Sequence, residues 1–184
     1  MGARAGVAVA APESPPAART VLDRYGPYRF RPIAADDAAF VRALYQATLR
    51  SQMPFGQTGL SDAQITALID QQFAAQTEHY GTNYPHAEIS IVEHPDGPVA
   101  RLIVIEFDDE VRLGDLMVAL EHRKRGLCSY IMDRNVELGL ATGRPIHLHV
   151  EKLNPAVELY RRKHFEVIAD LNSHWLMAYR PAGG

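Results

Sequence analysis

The chain has 184 residues, of which 47% are hydrophobic and 22% charged, with a formal net charge of -3. That length suits one domain with a sizeable core, and the mild acidity argues against broad nucleic-acid binding. The single cysteine, Cys128, excludes an internal disulfide framework and a Cys-based metal site.

Residues 1–18 are rich in Ala and Pro and show no apolar period. Residues 1–27 therefore read as a disordered or loosely docked tail, with a short helical turn at 21–25, ahead of one domain over 28–184. The stretch 5–11 is too short for a secretory core, and no apolar run approaches the ~20 residues that span a membrane, so a cytoplasmic protein is expected. Residues 28–33 alternate as a first strand, and Pro32 places that strand at a sheet edge. Asp36 and Asp37 then favour a helix start, and Phe40, Val41, Leu44, Tyr45 and Leu49 follow at helical spacing. After a loop at 53–60, Ser61 with Gln64 forms a capping-box pattern, continued by Ile65, Leu68, Ile69 and Phe73. Strands at 87–92 and 99–107 are joined through the turn sequence Pro95-Asp96-Gly97.

The next strand, 111–120, is apolar apart from Arg112 and Asp115. It runs into Arg123-Lys124-Arg125-Gly126-Leu127-Cys128-Ser129, and Leu127, Ile131, Met132 and Val136 continue on one helical face. A strand that feeds a helix through a glycine turn offers unpaired N–H groups and the positive end of a helix dipole to an anion. Three cationic side chains add charge-assisted bonds to phosphate. This helix closes near Gly143. Residues 146–150 alternate as a strand. Asn154 and Pro155 are a favoured N-cap and first helical residue for a helix over 154–163. Strands at 165–169 and 174–179 complete the order β-α-α-β-β-β-α-β-α-β-β.

Two segments together, the glycine turn and Asn154-Pro155-Ala156-Val157-Glu158-Leu159-Tyr160 with Phe165, resemble the GNAT superfamily of acyl-CoA-dependent N-acyltransferases. The family's pyrophosphate pattern is Arg/Gln-x-x-Gly-x-Gly/Ala, which Arg123 to Cys128 fits except at its last position. Its downstream signature, Asn-x-x-Ala/Val-x-x-x-Tyr-x-x-x-Gly-Phe, is matched by Asn154 and Tyr160 with one residue fewer between them. His164-Phe165 replaces the final Gly-Phe. The resemblance covers roughly 28–179 and is sharpest over 116–165.

The resemblance implies an α/β (α+β) GNAT fold, a mixed central sheet of about six to seven strands flanked by about four helices. It implies an N-acetyltransferase that moves an acetyl group from acetyl-CoA to a primary amine by direct attack. The alternatives are a catalytically silent acyl-CoA-binding or sensing domain, and a protein acetyltransferase acting on N-termini or lysines. Cofactor contacts are implied for Val118, Ala119, Leu120, Arg123, Lys124, Arg125, Gly126, Leu127, Cys128, Ser129 and Asn154. A backbone N–H near Val118 would serve the thioester carbonyl, and Tyr160 would protonate the departing thiolate. His149 is the base candidate, because imidazole accepts a proton near neutral pH. His147 lies on the same strand face, and Asp115 and Glu151 compete for the role. Asp115 interrupts an apolar strand, so it needs a partner or a task; binding the substrate ammonium is one. Phe55, with Met53, Tyr45 and Phe73, falls where the family builds its amine pocket. No metal is expected. The acceptor is a small-molecule or peptide amine, with no nucleic acid and no membrane. A homodimer is expected by analogy, with the edge of the strand 175–179 as its seam.

Overall fold

A computed structural model of the chain describes residues 26–181. The expected tail up to residue 25, with its helical turn at 21–25, lies outside them. Seven strands form one sheet in the order β1-β2-β3-β4-β5-β7-β6. They are β1 (Arg29–Pro32), β2 (Glu88–His94), β3 (Gly97–Glu106), β4 (Val111–Val118), β5 (Ile146–Glu151), β6 (Glu166–Leu171) and β7 (His174–Tyr179). Four α-helices are present among the described residues: α1 (Ala38–Gln52), α2 (Asp62–Asn83), α3 (Leu127–Thr142) and α4 (Ala156–Arg162). The element order is the one read from the sequence.

Strand alternation sorts the side chains onto two faces. On one face Val111, Leu113, Ile146, Leu148 and Val150 pack with Leu127, Tyr130, Ile131 and Val157 from α3 and α4. On the other, Met117 and Ala119 pack with Leu44, Tyr45, Ile65 and Ile69 from α1 and α2. Fully burying one such large apolar side chain contributes about 1.5–3 kcal/mol, so both layers hold the sheet. Pro32 lies on an edge strand, as its missing N–H requires. Ser61 caps α2, with its Oγ accepting from the Gln64 amide and the Gln64 side chain accepting from the Ser61 amide.

Two expectations are corrected, and one helix extends beyond the apolar residues that mark it. Helix α2 runs on to Asn83, well past Phe73. Its second half is polar, and it is fixed by long-range bonds: Gln76 accepts from Arg101, and the Tyr80 hydroxyl donates to the Gly114 carbonyl. Strand β4 stops at Val118, and Leu120–His122 forms a 3-10 turn. Strand β7 is not an edge. It pairs with β5 from Ile146↔Tyr179 to Glu151↔His174, and with β6 on its other side. Met177 and Ala178 are buried, whereas the true edge, β6, exposes Val167 and Leu171. The 175–179 seam for a homodimer therefore falls away. Among the described residues no helix is long and apolar enough to cross a membrane.

Candidate active site

The site begins where two parallel strands part. β4 and β5 pair only at Val111↔Ile146, Arg112↔His147 and Leu113↔Leu148. Opposite β3, Val104 faces Leu113 and Ile103 faces Asp115, which leaves Gly114 as an extra residue in β4. Such a bulge bends a strand and sharpens its twist. A Cβ at Gly114 would stand 3.2 Å from the Tyr80 ring and 3.3 Å from Ile103 and Ile105, so those side chains would have to give by a few tenths of an ångström to admit one. Past the bulge a cleft of about 200 Å³ opens. Thr48, Leu49 and Gln52 of α1 line it, with residues 113–117 of β4, 148–151 of β5, Asn154, Tyr160 and His174.

The backbone of β4 faces this gap in a defined way. The Ala119 amide donates to Val99 on β3 at 2.8 Å. In an antiparallel pair the direction of the backbone groups alternates. The N–H and C=O of Val118 therefore point away from β3, toward the gap. The Val118 carbonyl is taken at 2.9 Å by Arg123 Nε.

The glycine turn lies just beyond. Lys124 has φ 59° and Gly126 has φ 89°, so the turn makes two left-handed steps before α3. The second falls on a glycine, for which that conformation carries no Cβ penalty. Tyr130 makes the first bond back into the helix, to the Gly126 carbonyl at 3.0 Å. The amides of Leu127 and Cys128 precede it and have no intrahelical acceptor. Lys124 and Arg125 are exposed. Arg123 is different: its guanidinium donates to Val118 O, Ser51 Oγ and Thr48 Oγ1. Of the three cationic side chains at this turn, one is thus engaged within the protein and two are exposed. Cys128, in the first turn of α3, packs against the core. Burial pushes its thiol up, with Arg123 opposing.

Asn154 caps α4 from one residue further out than its first hydrogen-bonded residue: its Oδ1 accepts from the Ala156 amide at 2.9 Å. Pro155, with φ -61° and ψ -16°, is already helical. Tyr160 follows on the cleft side. Its phenol is pushed well above the ordinary tyrosine value by burial, then by Cys128 and Asp115. It is therefore a protonated donor at neutral pH. His164, where the family pattern has glycine, adopts φ 64°. Histidine is among the residues that tolerate this region.

Asp115, His149, Glu151, Asn154 and Tyr160 meet in the one cleft. His149 is exposed. Partial loss of solvent holds its imidazolium below the ordinary value, helped by Arg112 and His174 and opposed by Glu110. His147 does not line the cleft; its Nδ1 meets the Glu110 carboxylate, which also binds Arg112. Asp115 reaches the cleft but is not a free anion. Arg101 Nη2 donates to its Oδ2 at 2.5 Å. Burial raises the Asp115 carboxyl and Arg101 works against that. Phe55 is half-buried, packs on the α1–α2 cluster and does not line the cleft.

The sequence reading missed Thr48, Gln52, His174 and Arg101. Arg101 left a signal: it is the charge inside the apolar strand beside the one that Asp115 interrupts. Arg101 stands opposite Met117 and Asp115 opposite Ile103, which makes them diagonal neighbours on one face.

No protein-family model matches the chain, and no curated protein matches it. Its fold is nevertheless shared with solved structures. A PaiA N-acetyltransferase from Thermoplasma acidophilum, in complex with coenzyme A, is 11% identical over 84% of this chain and 99% of its own, with TM-score 0.64. A GNAT-family acetyltransferase from Listeria monocytogenes is 18% identical, covering 83% of this chain and 94% of its own, with TM-score 0.57. The ribosomal-protein-S18-alanine N-acetyltransferase from Escherichia coli is 13% identical, covering 85% and 96%, with TM-score 0.56. The seven-stranded mixed sheet with four helices is the GNAT fold.

Proposed function

We propose that this chain is an N-acetyltransferase that uses acetyl-CoA to acetylate a small-molecule or peptide amine. The observation that carries the reading is the β4–β5 gap, with a glycine turn beyond one end and Tyr160 on its wall. The cosubstrate supplies an activated acyl group as a thioester. The residues present fit it: a left-handed turn whose Leu127 and Cys128 amides have no intrahelical carbonyl, suited to a pyrophosphate, and an unpaired strand edge for an extended arm. Lys124 and Arg125 add positive charge at the turn.

Each step then falls to a group of this chain. The Val118 N–H donates to the carbonyl oxygen as charge develops there. His149 accepts the proton that the substrate ammonium loses. Tyr160 donates its proton to the departing sulfur. The high affinity of its phenol for that proton is no obstacle, because the same burial disfavours a bare thiolate. Glu151 gives the acceptor side a carboxylate, and Asp115, paired with Arg101, offers it a hydrogen-bond acceptor.

The direct test is thiol release from acetyl-CoA across a panel of small amines and peptides. Turnover with any of them supports the reading; acetyl-CoA binding without turnover on the whole panel replaces it with a silent acyl-CoA-binding domain. The base has its own signature. His149 is active only when neutral, so kcat/KM should fall as pH drops through an apparent value below the ordinary histidine one. His149→Gln should lower the rate and remove that limb. An unchanged rate and profile would pass the role to Glu151, to Asp115, or to water.

A further inference from the structure

We infer that Arg123 is a positioning residue that couples the cofactor turn to the acceptor wall, so that filling one site orders the other. The inference rests on the acetyl-CoA reading of the turn. Arg123 lies between the 3-10 turn Leu120–His122 and helix α3, and its backbone is the first residue of the turn proper. Its side chain leaves the turn and joins two other elements. Nε donates to Val118 O at 2.9 Å, at the end of β4. Nη1 donates to Ser51 Oγ and Nη2 to Thr48 Oγ1, each at 3.1 Å, on the last turns of α1. Ser51 Oγ in turn donates to the Thr48 carbonyl at 2.7 Å.

Those contacts span the machinery. Val118 carries the N–H assigned to the thioester carbonyl. Thr48 is 6% exposed and lines the cleft. The planar guanidinium fixes the angle between these partners as well as their distance. Its charge also sits at the C-terminal end of α1, where the helix dipole is negative. A phosphate drawn onto the amides after Gly126 bears on Arg123 through a short backbone. Lys124 and Gly126 are already in left-handed conformations, so the turn has little slack to absorb a shift. The shift passes to the guanidinium and from there to residues 48–51. Coupling of this kind needs only that the ligand favour one arrangement of a shared element.

The test is amide hydrogen exchange on the full chain, with and without coenzyme A. In the native sequence, saturating coenzyme A should slow exchange both at 124–129 and at 48–53. The slowing at 48–53 should be about 5- to 150-fold, the usual range for coupled sites. Thr48→Val with Ser51→Ala keeps the Val118 bond and removes the α1 partners. That variant should retain slowing at 124–129 and lose it at 48–53, and Arg123→Gln should do the same. Slowing at 124–129 alone in the native chain would overturn the coupling, as would its persistence at 48–53 in the double variant. No slowing anywhere, with no heat of binding by calorimetry, would instead remove the acetyl-CoA reading on which the coupling stands. The double variant also covers the case in which Arg123→Gln does not fold.

Discussion

Replacing Tyr160 with Phe is expected to lower the rate of acetyl transfer by about 10²- to 10⁴-fold, the usual worth of a placed acid. The ring stays, so its packing against Phe165, 6.1 Å between centroids, is preserved. The hydroxyl alone is lost. The dissociation constant for acetyl-CoA should stay near that of the native chain, which separates a lost proton donor from a lost binding surface. The measurement is single-turnover thiol release at saturating acetyl-CoA, where product release cannot mask the chemical step. A rate equal to the native one there would make Tyr160 a packing residue of α4. Burial already holds the phenol protonated. No fall in rate from phenol ionisation is therefore expected at moderately alkaline pH, and any alkaline limb belongs to another group.

Gly126→Glu is expected to abolish acetyl-CoA binding. Gly126 has φ 89°, and a non-glycine residue there costs roughly 1–2 kcal/mol. The larger effect is electrostatic: a carboxylate would stand where the turn's amides await a phosphate. A ligand that binds only the native state stabilises it by about 2.7 kcal/mol at 100 times its dissociation constant. In the native chain that stabilisation appears as a rise in Tm; in the variant it should vanish. Gly126→Ala separates the two causes, because it carries the backbone strain without the charge and should keep a reduced shift. A native chain with no Tm change at millimolar acetyl-CoA, confirmed by calorimetry, defeats the cofactor assignment itself.

What the sequence made legible was local. The turn around Gly126, the Ser61–Gln64 box and the cap of Asn154 on α4 are each decided within a few residues, and each stands where its residues indicated. Contacts between distant segments were not legible. Nothing near Arg123 in the sequence shows that α1, 72 and 75 residues earlier, supplies Ser51 and Thr48 to its guanidinium. Asp115 reads as a carboxylate in need of a partner or a task, but the partner, Arg101, is known only once it is placed diagonally across the hairpin. The position of β7 inside the sheet depends on strand order, and strand order has no signature in the strand itself. Phe55 shows the same limit: its place after α1 suggested the amine pocket, but the apolar cluster under α2 claims it.

The three residue pairs between β4 and β5 have a consequence beyond ligand access. They divide the sheet into two panels, each contiguous in sequence: β1 to β4 over 29–118, and β5 to β7 over 146–179. Within a panel the pairing is antiparallel throughout; the one parallel seam is also the shortest and the slowest kind to close. The seam with the fewest paired residues in the sheet thus lies beside the cleft. A molecule that lay along the parted strands would bridge the two panels, so its binding would add to their cohesion as well as fill the cleft.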